Sequence, residues 1–301
     1  MCSSNKVGLA MAILCAVQFG LCSCGEKCEF GYELLATKLE ALDYAITKNA
    51  ASTKLEINEM LSSIKNLTTA TCGLSDVKFD DARTLSSAPK SCKDTSIKTS
   101  GPHLINPEIG FSEAFWVGCD QEYEGGGWTI IQHRFDGSVD FRRPWQEYKS
   151  GFGHLRGEFW LGLEKVHRLT YGEPHELHVV LEDFDGKRVT AKYSEFAIGS
   201  EHESFAMTKL GEYSGTAGDS LSSHKNGLFT TLDRDNDQNG GANCAQIYSG
   251  AWWHISCHAS NLNGLYLRGT TDTYATGMCW NAFRGYHYSL KISKMMIRSK
   301  L

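Results

Sequence analysis

The stretch "DRDNDQNGGANCAQIYSGAWWHISCHASNLNGLYLRG" (residues 233–269) decides how the rest of the chain is read. Asp233, Asp235 and Asp237 occupy alternate positions, followed by Gly240 and Gly241. Carboxylates that close repel one another unless positive charge sits among them. Counting from Asp235, an EF-hand accounts for the first half of the pattern: Asp237, Asn239 and Gly240 fall where such a loop needs them. The closing position holds Gln246 instead of a bidentate glutamate, and the flanks "NGLFT" and "IYSGAWW" carry no helical pattern. Two readings stay open at this point. One is a hard-cation loop of another kind, with oxygen ligands from carboxylates, backbone carbonyls and water; the other is an Asx-rich surface turn. Cys244 and Cys257 could close a small ring beside the acidic residues. A ring of that size restricts the unfolded chain by about 3 kcal/mol. Cys92 and Cys119 could do the same upstream.

Outward from this stretch, the 301 residues suffice for one sizeable domain plus an appendage. Seven Trp, 14 Phe and 12 Tyr call for an aromatic core and argue against disorder. A net charge of −5 with no block of Lys or Arg argues against a nucleic-acid partner. Residues 1–24 read as a secretory signal peptide: Lys6 precedes an apolar run from Val7 to about Leu21, and small residues follow. The run is short for a membrane span and has no stop-transfer flank, and no later segment is apolar enough to cross a bilayer. The chain is therefore expected outside the cell, where cysteines pair. Removal of residues 1–24 leaves seven cysteines, so one thiol is free or bridges chains. Cys279 has no evident partner.

Residues 25–67 are read as a helical coiled-coil segment. Leu35, Leu39, Leu42 and Ile46 alternate steps of four and three, and Ile57, Met60, Ile64 and Leu67 resume the register after a one-residue slip. A single amphipathic helix is the alternative; self-association is preferred because Cys28 and Cys72 bracket the segment. The sequon at Asn66 predicts a glycan there. Residues 68–87, rich in Thr, Ser and Ala, are a linker.

In residues 88–301 glycine and tryptophan density rises. "GGGWTIIQHRFDGS" (125–138) predicts a strand entering a turn at Asp136-Gly137. "ELHVVLEDFDGKRVTAKYSEFAI" (176–198) predicts a hairpin, with Leu177, Val179 and Leu181 alternating before Asp185-Gly186 and Val189, Ala191 and Tyr193 after it. "GEFWLGLEKVHRLT" (157–170) predicts a helix with Phe159, Leu163 and Val166 on one face. The tail "YHYSLKISKMMIR" (286–298) alternates through Tyr288, Leu290 and Ile292. Strands with a few short helices and glycine-rich loops give an α+β domain. Enzyme motifs are absent: no His-Glu-x-x-His, no Gly-x-Ser-x-Gly, no phosphate-cradling loop. His175 and His178 face opposite ways in a predicted strand, so they do not share a metal. No enzyme activity is expected.

The motifs "SCKD", "GGGWTIIQHRFDGSVDF", "GFGHLRGEFWLGLEKVHRLT", "DRDND", "NCA" and "GAWWHISCHASNLNGLYLRG", with Trp280, follow the order of the fibrinogen C-terminal domain. The resemblance covers about residues 88–301, and the chain looks most like ficolins and tachylectin-type lectins. It implies a disulfide-bonded entrance, a twisted antiparallel sheet, and a loop-rich subdomain for calcium and ligand. Calcium maps onto the side chains of Asp235 and Asp237, with backbone carbonyls near Asn239 and Gly241. This loop carries one more residue between Asp237 and Cys244 than the usual pattern. The ligand pocket maps onto Tyr248, Cys257, His258, Tyr274, Ala275 and Tyr286, and the Ser256–Cys257 peptide is expected to be cis. Such a pocket takes the acetyl groups of N-acetylated glycans: an apolar cage suits the methyl, and the backbone N–H groups of Cys257 and His258 suit the carbonyl oxygen. The expected protein is a secreted, calcium-supported, homo-oligomeric lectin of innate immune recognition. The rival expectation is an adhesive or signalling ligand for a protein receptor.

Overall fold

A computed structural model describes residues 88–107 and 113–301. The signal peptide (1–24), the coiled-coil segment (25–67), the linker (68–87), Cys28, Cys72 and the Asn66 sequon lie outside the described residues.

Alternation of apolar and polar side chains sets the central hairpin. Strand β6 (His175–Glu182) meets β7 (Arg188–Ala197) in an antiparallel register that places Leu177 opposite Tyr193, Val179 opposite Ala191 and Leu181 opposite Val189. All six side chains are buried, so the period of two seen in the sequence is the core-facing side of the pleat. The turn is tied by Asp183, whose carboxylate accepts from the N–H groups of Asp185 (3.0 Å) and Lys187 (2.8 Å). Gly186 takes φ +83° there, a conformation glycine adopts without a Cβ clash.

The other strands are β1 (Gly101–Ile105), β2 (Phe115–Asp120), β3 (Trp128–Arg134), β4 (Phe152–Gly153), β5 (Phe159–Trp160), β8 (Lys209–Leu210), β9 (Tyr213–Gly215), β10 (Ser260–Asn261), β11 (Gly269–Thr270), β12 (Cys279–Trp280), β13 (Tyr288–Ser289) and β14 (Ile292–Ser299). The helices are α1 (Trp145–Ser150), α2 (Leu163–Gly172), α3 (Cys244–Ile247) and α4 (Asn281–Arg284). The main sheet runs β1-β2-β3-β14-β6-β7-β8, with β5 also on β3, β4 on β5, and β9 on β7. Its pairings are antiparallel. The disulfide Cys92–Cys119 ties the entrance of the domain to β2. The fold is thus a mainly antiparallel sheet with a few short helices.

Two sequence readings need correction. The helix expected over 157–170 begins only at Leu163: Phe159 and Trp160 form β5 against β3, and Gly162, at φ +109°, separates strand from helix. The alternation through Tyr288, Leu290 and Ile292 is not one strand. Tyr288 lies in β13, Leu290 is buried between strands, and Ile292 opens β14, whose own alternation is reset by a bulge between Met295 and Met296.

An aromatic core joins sheet, helix and loops. Phe229 contacts Tyr148 of α1, Trp160 of β5 and Trp253, with ring centroids 5.1–5.8 Å apart. Such pairs add stabilisation beyond their buried area. Burying Trp253 this way fixes the start of the segment that leads to Cys257. Two small ladders, β10–β12 and β11–β13, organise the loop-rich part that follows.

Candidate functional site

The acidic loop is divided between two tasks. Asp233 turns toward the body of the domain, where its carboxylate accepts from the Trp145 N–H at the start of α1 (2.8 Å) and from the Thr231 hydroxyl (2.7 Å). Asp235 and Asp237 organise the loop's own backbone: Asp235 Oδ1 accepts from the Asp237 N–H (3.3 Å), and the Asp237 carboxylate accepts from Asn239 N (2.9 Å) and Cys244 N (2.8 Å). Burial, and the Asp235 carboxylate beside it, raise the Asp237 carboxyl above its ordinary value. The Asn239 amide donates to Ala242 O (2.9 Å) and lies 3.8 Å from Cys257 Sγ. Gly241 is exposed at the loop's edge.

Among the described residues no three His, Cys, Asp or Glu side chains converge as a metal cluster. The donors here are two carboxylates, the Asn239 carbonyl groups and neighbouring backbone carbonyls. An all-oxygen set with two neighbouring negative charges fits a hard cation such as calcium and does not fit a soft one.

The disulfide Cys244–Cys257 links this loop to the segment after Trp253. The Gln238 N–H donates to Ile255 O (2.8 Å), a second link. The Ser256–Cys257 peptide is cis. Beyond it the ring of His258 sits at the centre of the aromatic residues read from the sequence. Tyr248 meets it edge-on at 4.8 Å and Tyr286 at 5.9 Å, while Tyr274 lies 5.2 Å from Tyr286. The Tyr286 hydroxyl donates to His258 O (3.0 Å), and the Ala275 N–H donates to Tyr286 O (3.0 Å). Ala275 is buried, at φ +62°; Tyr274 is half exposed at 53%. Tyr248, His258, Tyr274, Ala275 and Tyr286 are therefore one connected group with Cys257 beside it. Among the described residues, the N–H groups of Cys257 and His258 have no protein acceptor.

Three further side chains support this group: His224 and His254, which sequence reasoning passed over, and Cys279, which it left without a partner. His224 bridges two segments: its Nδ1–H donates to Trp253 O (2.8 Å) and its Nε2 accepts from Ala259 N (3.0 Å) and Ser260 N (3.3 Å). His254 donates from Nε2 to Gly250 O (2.8 Å), and its ring centroid lies 5.5 Å from that of His258. Cys279 is a buried free thiol 4.0 Å from His258 Nδ1. Burial lowers His224 and His254 to about 4, and burial with the two neighbouring imidazoles lowers His258 to about 3. All three rings are neutral at physiological pH. Burial raises the Cys279 thiol to about 12, so it is not a nucleophile. The run of histidines in "WWHISCH" was the only signal of this arrangement, and nothing in the sequence placed His224 beside it.

Residues 88–300 match the family of fibrinogen beta and gamma chains, C-terminal globular domain. The chain belongs to this family. Fibrinogen C domain-containing protein 1 of Macaca fascicularis is 50% identical over 193 residues, which cover 62% of this chain and 44% of that relative. The chain thus spans less than half the length of that fibrinogen-domain relative. Two solved structures share the fold. The fibrinogen-like globe domain of human ANGPTL2 has a TM-score of 0.68 at 44% identity, covering 71% of this chain and 100% of that one. Lamprey fibrin D-dimer, complexed with the peptide ligand Gly-His-Arg-Pro-amide, has a TM-score of 0.65 at 29% identity, covering 88% and 90%.

Proposed function

We propose that this fibrinogen-like domain is an extracellular lectin that grips acetyl groups of N-acetylated glycans. The observation that carries the reading is the packing of Tyr248 and Tyr286 on His258, with Tyr274 and Ala275 joined to them through Tyr286, next to two unengaged N–H groups. The rings and the Ala275 methyl would enclose the ligand methyl, and the Cys257 and His258 N–H groups would donate to the acetyl oxygen. A neutral His258 adds no charge to repel or attract, so selection rests on shape and hydrogen bonds. Asp235 and Asp237, with carbonyls near Asn239 and Gly241, would hold calcium. When bound, that ion neutralises the paired carboxylates and cross-links the loop that the disulfide joins to Cys257. A single shallow pocket binds weakly, and presentation on an oligomer through residues 25–67 would raise avidity by roughly 10²–10⁴. The activity is recognition of acylated surfaces, with no catalytic step.

The test is retention of the full chain on an acetylated resin. Elution by free N-acetylglucosamine and by a chelator is expected. Retention that ignores both competitors sinks the reading.

A second reading is kept because of the comparisons: the lamprey fibrin domain is described with a peptide ligand. The domain would then serve a protein partner through a face other than the aromatic group. Alanine at Tyr274 separates the two, since an interface elsewhere on the domain tolerates it.

A further inference from the structure

Three Asn-Gly pairs stand in the sequence: Asn226-Gly227, Asn239-Gly240 and Asn263-Gly264. An asparagine in this setting carries a reactive side-chain carbon, because the glycine after it has no Cβ to keep its backbone nitrogen away from the amide. The fold treats the three pairs differently. The Gly227 N–H donates to His224 O (2.9 Å), and a Cβ there would stand 2.9 Å from the carbonyl oxygens of His224 and Trp253. The Gly264 N–H donates to Asn261 O (3.1 Å), and the buried Asn263 amide is held between Ala251 O (3.0 Å) and Gln132 Nε2 (3.2 Å). Both nitrogens are committed, and both glycines are buried.

Asn239-Gly240 is built the other way. Among the described residues the Gly240 N–H donates to no protein acceptor. Gly240 and Gly241 are exposed, and a Cβ on either would meet nothing within 4 Å. The Asn239 side chain is half buried. Its Nδ2 donates to Ala242 O (2.9 Å), and among the described residues its Oδ1 accepts no hydrogen bond. Asn239 O accepts from Ala242 N at 3.3 Å, a long bond that closes a turn with two glycines at its centre. Glycine restricts the backbone least, so the Gly240 nitrogen can swing toward Asn239 Cγ at little cost.

We propose that Asn239 is a modification site, deamidated through a cyclic imide formed with Gly240. Hydroxide takes the Gly240 amide proton and the nitrogen bonds to Asn239 Cγ. The Cγ–Nδ2 bond then breaks, and Nδ2 leaves as ammonia once water has protonated it. Water opens the imide at either carbonyl, leaving aspartate or isoaspartate at position 239. The net change is water in and ammonia out, with no oxidant or reductant. The place of Asn239 in the acidic loop gives the step a consequence. The product has no donor for Ala242 O, and its new carboxylate joins those of Asp235 and Asp237, where like charges repel. Both changes loosen the loop that the Cys244–Cys257 disulfide ties to the segment before His258. The proposal holds whether or not the aromatic group takes acetyl groups.

The experiment incubates the folded full chain in mildly alkaline buffer with a chelator, so that no ion clamps the turn, and maps its peptides by mass spectrometry at intervals. The peptide with Asn239 is expected to gain the mass of NH replaced by O and to split into two species of equal mass. Asn226 and Asn263 should stay at their starting values in the folded chain and convert once urea unfolds it. Gly240→Ala is expected to slow the conversion about fivefold or more; Gly240 has no left-handed φ and open space at its Cβ, so the melting temperature should hold. Asn239→Asp supplies the product's charge directly, and amide hydrogen exchange at residues 242–244 should be about fivefold faster, as one lost hydrogen bond predicts. No mass gain at Asn239, a gain no faster than at Asn226 in the folded chain, or an unchanged rate in Gly240→Ala overturns the modification. Exchange at the wild-type rate in Asn239→Asp overturns its effect on the loop.

Discussion

Tyr286 and Tyr274 stand side by side yet carry different loads. Tyr286 donates its hydroxyl to His258 O and accepts the Ala275 N–H on its backbone, so it shapes the pocket. Tyr274 is half exposed, and the bond that fixes the loop here belongs to its neighbours. Tyr274→Ala is therefore expected to change stability by no more than about 0.5 kcal/mol while removing an apolar wall from the ligand. Acetyl-resin binding should fall about tenfold, and unchanged binding would reject the pocket. Tyr286→Phe keeps the ring and deletes one hydrogen bond worth about 1 kcal/mol. Its expected signature is a loss of roughly threefold to tenfold in acetyl binding with a small drop in melting temperature. A variant that binds as wild type shows that the His258 carbonyl needs no tether. At this scale the resemblance to fibrinogen C-terminal domains, carried by the motifs, was what named the tyrosines, Ala275 and the Cys-His pair, and the structure brings them together. His224 could not be named in advance, because its role depends on Trp253 and Ala259 meeting it through the fold and not on any local pattern.

At the scale of elements, the two acidic turns behave differently because their carboxylates have different partners. The β6–β7 turn neutralises Asp183 with Arg284, 2.8 Å away, and with the Lys187 N–H. Burial alone would raise the Asp183 carboxyl, but the Lys187 N–H and the guanidinium outweigh it and hold it below the ordinary value. Arg284→Ala leaves a buried charge without its partner, and a cost of about 1–3 kcal/mol in urea unfolding at neutral pH is expected. The cost should shrink as pH falls below about 4, where the carboxyl of the variant takes up a proton; a cost that persists in acid rules out the pair as its cause. The loop at Asp235 and Asp237 has no such cation. If calcium fills that role at a hundred times its dissociation constant, it adds about 2.7 kcal/mol, or roughly 5–10 °C in melting temperature for a domain of this size. A chelator should remove that increment, and Asp235→Asn/Asp237→Asn should abolish the chelator's effect. Identical melting curves with calcium and chelator would exclude a resident ion. The hairpin was legible because its period of two survives in sequence and its turn carries Asp-Gly. The helix at 157–170 was misread in its first half because "FW" satisfies helical spacing and a two-residue strand equally well. Only the pairing of Phe159 with His133 decides between them. The tail was misread for a related reason: a strand change and a bulge both preserve local alternation while moving residues between sheets.

For the whole molecule, the buried imidazoles set the acid limit of the fold. His224, His254 and His258 sit near one another in the loop-rich part, with folded values of about 4, 4 and 3, and burial is the first cause for each. His133 and His178 are lowered to about 4 as well, again chiefly by burial. An unfolded chain takes up protons on these rings near pH 6.5, whereas the native state refuses them until far lower. Between those limits the unfolded state binds more protons, so stability rises with pH and is lost as pH falls. Each ring contributes on the order of 1 kcal/mol per pH unit in that window, and His258, lowered furthest, keeps contributing to the lowest pH. Urea midpoints should therefore fall from pH 7 to pH 5, and the slope should flatten above pH 7, where both states are neutral. His224→Asn should reduce the slope below pH 6 even though it destabilises the fold at pH 7, because the replacement cannot take up a proton in either state. Since His224 ties Trp253 to Ala259, acid should also loosen the segment that carries Cys257 and His258, and acetyl binding should decline in the same window. A midpoint that does not move between pH 7 and pH 5 would mean that these rings are open to water, and the neutral aromatic pocket would lose its physical basis.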